Sequence, residues 1–131
     1  MKKTILTFLM VICSLLSLSQ SVAFAKSNRM SFGKKDFSIG IIKYKPFEGI
    51  NEVIVVIEDK KVSINSAVQQ TYFLGDKSYD LNGCDDGSYW YANDKEGNLC
   101  RVYIYSNKFS EIFLSIEYDD FSWVYLLDPI E

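Results

Sequence analysis

Histidine is absent from all 131 residues of the chain. That excludes Ser-His-Asp and Cys-His catalytic groups and any imidazole metal site. Cysteine is scarce, with only Cys13, Cys84 and Cys100. None is spaced as Cys-x-x-Cys, so a thioredoxin-like redox site and a thiolate zinc site lose their usual signature. The seven glycines are scattered at turn-like positions and build no phosphate-gripping loop. Proline occurs twice. No stretch keeps a convincing helical period, and no second apolar run of membrane-spanning length follows the first.

The N-terminus is the most informative part of what is there. Lys2 and Lys3 precede an apolar run from Ile5 to Leu18, and Ala23-Phe24-Ala25 follows. A basic start, an apolar middle and small residues at −3 and −1 are the layout of a secretory signal peptide. The expectation is a bacterial-type leader over residues 1–25, cleaved after Ala25, with the mature protein in the periplasm or secreted. Cys13 follows Ile12 rather than a small residue, so it reads as an apolar residue of the leader and not as a lipoprotein anchor. No membrane span is expected after cleavage.

The mature chain would carry 12 basic and 17 acidic residues, a net charge of −5. Lys26–Lys61 holds eight basic and five acidic residues, a balance of +3, whereas Val62–Glu131 holds four basic and twelve acidic, a balance of −8. The acidic part argues against nucleic acid, whose phosphates it would repel, and favours a cationic partner through steering. Acidic turns that only keep the domain soluble are the plain alternative.

The sequence predicts a single all-β domain over 37–131, behind a loose arm at 26–36. About eight short antiparallel strands are expected, forming a small sandwich or barrel. They fall at Phe37–Lys45, Glu52–Glu58, Lys61–Ser66, Gln69–Leu74, Gly87–Asn93, Asn98–Ser106, Glu111–Tyr118 and Phe121–Leu127, where Pro129 should end the last. The run Val53-Ile54-Val55-Val56-Ile57 is entirely β-branched, which decides for strand over helix. Ser66–Gln70 could take one helical turn. In an oxidising compartment Cys84 and Cys100 should form one structural disulfide, worth about 3 kcal/mol for a loop of this size. If the hairpin turns at Lys95–Glu96, Cys100 falls opposite Tyr91, and Cys84 must return from the preceding loop.

Catalytic chemistry finds little support. Asp80, Asp85, Asp86, Asp94 and Glu96 crowd one region, yet solvated turn carboxylates are commoner than a glycosidase pair. Asp80–Gly87 offers hard oxygen ligands without EF-hand spacing, so neither metal nor cofactor is expected. Aromatic residues are plentiful. Tyr89, Tyr91, Tyr103 and Tyr105 alternate with Trp90, Val102 and Ile104. If the latter set faces inward, four tyrosines share the outer face beside Arg101. Tyrosine suits recognition through its large area, polar tip and few rotors, although cross-strand pairing alone also explains such a row.

These features point to an exported, non-catalytic binding protein, of the inhibitor or immunity type, that caps a cationic partner protein. Asp85, Asp86, Tyr89, Tyr91, Arg101, Tyr103 and Tyr105 are the candidate contacts. A small-ligand carrier with a barrel pocket and a structural envelope component are the alternatives. A carboxylate-dependent hydrolase stands behind both.

Overall fold

A computed structural model describes residues 22–81 and 85–130. The leader core at residues 1–21 and Cys84, with the disulfide expected of it, lie outside the described residues. Among the described residues there is no helix. The strands are β1 (Ala23–Asp36), β2 (Ile41–Tyr44), β3 (Glu48–Glu58), β4 (Lys61–Asn65), β5 (Gln70–Asp80), β6 (Asp86–Asp94), β7 (Leu99–Ser106), β8 (Ile112–Glu117) and β9 (Phe121–Ile130).

Every pairing is antiparallel. From β3 to β9 each strand pairs with the next, and β1 pairs with both β3 and β9. Eight strands therefore close into an up-and-down barrel, which leaves no free edge along the main circuit. Short connections favour this order, because each hairpin places successive strands side by side. Strand β2 stands outside the closure. It pairs with the C-terminal end of β1, with Gly33 opposite Tyr44 and Asp36 opposite Ile41.

The barrel interior is packed with side chains. Val55, Ile57, Val62, Ile64, Val102, Leu114 and Ile116 have essentially no exposure, and Trp90, Ala92, Cys100 and Leu127 join them. Eight strands enclose a space just wide enough for side chains to fill. Strands β6 to β9 alternate between inward and outward side chains. Trp90, Val102, Ile104, Leu114, Ile116 and Leu127 point in, and their sequence neighbours point out.

Several expectations are corrected. The segment expected as a loose arm at 26–36 is part of β1, the longest strand, held on both sides by β3 and β9. Its polar composition hid it: Lys26, Asn28, Lys34 and Lys35 occupy outward or rim positions, while Ala23, Ala25, Ser27 and Ser31 are buried. Register shifts at Ser27/Arg29 and Lys26/Met30 interrupt the simple period of two. Ala23 and Ala25, the residues of the expected cleavage motif, are core residues of β1.

The strand expected at Phe37–Lys45 is also shorter, Ile41–Tyr44. Residues 37–40 form the turn of the first hairpin, so β2 begins only at Ile41. Ser66–Gln70 bends without a helical turn. Pro129 does not end β9 but pairs with Ala25 near the strand terminus, where a missing N–H costs least.

The β6–β7 hairpin differs by one residue. Cys100 lies opposite Ala92, and Tyr91 lies opposite Arg101. The cause is a three-residue loop closed by Asp94, whose N–H donates to the Asn98 carbonyl at 3.0 Å. Gly97 sits at φ +83°, the left-handed residue that such loops require. The Asp94 carboxylate accepts from the N–H groups of Asn98 (2.8 Å) and Glu96 (3.0 Å) and from the Tyr118 hydroxyl (2.7 Å). Burial opposes its charge, but these donors outweigh burial and hold the carboxyl below the usual range.

A candidate binding face on the outer wall of the barrel

Strands β5 to β8 carry an aromatic outer wall. The ladder sets Tyr79 opposite Tyr89 and Tyr89 opposite Tyr103. Direct opposition brings the rings together, with centroids 5.2 Å apart for Tyr79–Tyr89 and 5.1 Å for Tyr89–Tyr103, both stacked. Tyr91 meets Tyr79 at 5.6 Å and Tyr89 at 6.0 Å, edge to face. A second stack runs from Tyr105 to Phe113 (5.3 Å) and on to Phe47 (5.9 Å). Such pairs contribute roughly 0.5–1.5 kcal/mol beyond burial, so the wall is ordered before anything binds.

Arg101 stands between Tyr91 and Glu117 in one cross-strand row and forms an ion pair with Glu117. Its charge is therefore answered within the wall. The Lys77 ammonium lies 5.2 Å from the centre of the Tyr79 ring. Burial pushes the Tyr103 phenol up to about 12, and Glu117 adds to the effect. Tyr105 also rises to about 12, from burial first and then from Tyr44, Asp85 and Glu117. Both phenols are neutral donors at physiological pH. Tyr91 is the most accessible of the set, at 53% exposure.

The far side of the wall is covered. Ser31, Ser115, Ser122 and Val124 face outward by register yet are buried. The chain after β2 lies against them: the Ser31 hydroxyl donates to the Lys45 carbonyl at 2.6 Å, and Phe47 reaches Phe113. Small residues here leave room for that crossing.

Of the candidate contacts, Tyr89, Tyr91, Arg101 and Tyr103 come together, and Tyr105 belongs to the adjoining stack. Asp85 lies at the end of the wall, near enough to act on Tyr105. Asp86 does not join the face. It pairs with Ser106 and has the inward parity of Trp90, which places it at the barrel rim. Sequence reasoning missed Tyr79, Phe113 and Phe47. Tyr79 was lost because Gly75-Asp76 reads as a strand end. Strand β5 instead passes through an irregularity between Leu74 and Ser78 and continues to Asp80. The alternation of Ser78, Tyr79 and Asp80 was the available signal.

At the opposite end of β6 from Asp86, the barrel mouth holds a depression of about 460 Å³ lined in part by Met30, Ile50, Gln70, Trp123 and Tyr125. Gln70 is fully engaged there, donating to Tyr125 and Ser66 and accepting from Tyr72. Among the described residues, no group of three or more cysteines and carboxylates is arranged to hold a metal ion. No family model, no curated protein and no solved structure matches this chain.

Proposed function

We propose that this is an exported, non-catalytic binding protein whose outer tyrosine wall seats a cationic partner protein, in the manner of an inhibitor or immunity protein. The observation that carries the reading is the continuous stack Tyr79–Tyr89–Tyr103 across three strands, with exposed Tyr91 at its edge. Rings already locked by their neighbours lose little freedom on binding, so more of the contact energy appears as affinity. The wall also suits cations. Lys77 already lies over one of its rings, and a partner arginine could use the others in the same way. The acidic balance of Val62–Glu131 would draw such a partner in. The leader motif supports export, with a removal after Ala25 that would shorten β1 at its start by Ala23, Phe24 and Ala25.

The test is affinity capture from the producer's envelope fraction and from secretions of competing cells. Wild type is compared with Tyr89→Ala/Tyr91→Ala. One cationic protein held at low salt, released at high salt and not held by the double variant is the expected result. Equal retention by both baits, or an empty capture from both sources, overturns the reading.

The carrier alternative rests on the depression at the barrel mouth. The filled interior beneath it leaves little room for a ligand to be enclosed.

A further inference from the structure

The β1–β2 hairpin is unlike the rest of the surface. Its turn exposes three large apolar side chains within five residues: Phe37 at 74%, Ile39 at 55% and Ile41 at 56%. Isolated exposed apolar residues are ordinary, but a cluster at a projecting turn points to a contact. The turn is ordered. The Ile39 and Gly40 N–H groups donate to the Asp36 carbonyl, and the Ser38 N–H and hydroxyl donate to the Asp36 carboxylate at 3.0 and 2.6 Å. Gly40, at φ +73°, completes the turn. The tip is thus held with its apolar side chains in water.

Lysines stand directly behind it. Residues 33–45 contain Lys34, Lys35, Lys43 and Lys45 against the single acid Asp36. Lys34 lies opposite Lys43 in the ladder, an arrangement of like charges that is unfavourable by itself. Asp36 relieves it in part through its 3.2 Å pair with Lys43. Asp36 and Ile41 are opposite each other and share the face of Lys34 and Lys43, so one side of the hairpin runs from an apolar tip to a basic base. On the other side, Ile42 and Tyr44 cover Gly33 on the outward face that also carries Ser31. The other nearby acids are at the Asp119–Asp120 turn, whose Asp120 carbonyl accepts the Lys35 N–H.

We infer that this hairpin docks on an anionic lipid surface, with Phe37, Ile39 and Ile41 entering the interface and the lysines meeting headgroup phosphates. The geometry fits the occupant. Apolar groups come first, and the long side chains of Lys34 and Lys43 stand two ladder positions behind, able to extend toward the headgroups. A basic residue near such a surface strengthens binding several-fold, and the hairpin supplies four lysines against one acid, a local balance of +3. The surface is separate from the tyrosine wall, and this inference does not depend on the function proposed above.

The experiment places an indole at the tip with Phe37→Trp in the full chain. Its fluorescence is read as the difference from the parent protein, which keeps the readout local to the hairpin. Vesicles are of phosphatidylglycerol or phosphatidylcholine, each also with brominated acyl chains. A blue shift and bromine quenching with phosphatidylglycerol, weak or absent with phosphatidylcholine, are expected. Adding Lys34→Glu and Lys43→Glu should weaken the response by about tenfold or more. An unchanged difference spectrum on phosphatidylglycerol overturns the inference. Equal responses to both lipids overturn the role of charge. A blue shift that grows with protein concentration in the absence of lipid assigns the tip to a second copy and overturns it as well.

Discussion

Gly87 fixes how closely β6 and β7 approach, and it supports the aromatic wall directly. It lies opposite Tyr105. A Cβ placed on it would press against the Ile104 carbonyl oxygen and lie 2.6 Å from both Cα and Cβ of Tyr105. Two of the three contacts are backbone atoms, so no rotamer change can relieve them and the strands must part. Overpacking of this kind costs typically 1–3 kcal/mol. Against it stands the lower chain entropy of alanine in the unfolded state, which favours the variant by about 0.4–1 kcal/mol. The steric effect wins, and Gly87→Ala should lose about 1.3 kcal/mol net. For a domain of this size that is a fall in Tm of about 5 °C or somewhat more. Gly49→Ala is the control, because a Cβ there meets nothing within 4 Å. Urea and thermal unfolding, followed by circular dichroism, compare the two. A Gly87→Ala protein as stable as wild type would refute the claim that this approach is rigid.

Tyr118→Phe should cost about 1 kcal/mol by removing the 2.7 Å bond to Asp94, as read from urea midpoints. Unchanged midpoints would show that Asp94 holds its turn without Tyr118. Tyr103 and Tyr105 have folded values raised to about 12 against an ordinary 10, so their contribution is intact below pH 10 and is lost as pH rises toward 12. Absorbance titration should show these phenols ionising late and stability falling across that window; titration of every tyrosine near pH 10 in folded protein would contradict this. Burial first, and then Asp94, raises the Cys100 thiol to about 11, so it should resist alkylation at pH 8 until denaturant is added. Intact mass tests the expected bridge in the same experiment. A mass two hydrogens below the reduced value would show the expected Cys84–Cys100 bridge, and an unchanged mass would show its absence.

Much of the strand pattern was legible because one face of each strand is buried. Ile112, Leu114 and Ile116, or Phe121, Trp123 and Tyr125, alternate with residues of the other face, and period two needs no tertiary information to be seen. The same rule put Tyr89, Tyr91, Tyr103 and Tyr105 on one face, and the structure makes it the outer one, since Trp90, Val102 and Ile104 fill the interior. Strand β1 escaped because its buried positions are alanine and serine and its period breaks at Ser27–Met30. The extension of β5 escaped because a glycine that bends a strand looks the same as one that ends it.

Local chemistry along the chain was enough to determine an all-β domain, the two alternating faces of each main strand, and the turn at Asp94–Asn98. Side-chain period and turn chemistry act over a few residues, so they can be read from neighbours alone. Only the tertiary structure decided that the sheet closes as a barrel, because closure depends on β1 meeting β9, about a hundred residues away. It also decided that Tyr79 joins Tyr89 and Tyr103, that Asp86 leaves them, and that Lys34 stands against Lys43 behind an apolar tip. Those outcomes depend on register, where a shift of one residue exchanges inside for outside, and no single segment specifies the register of another.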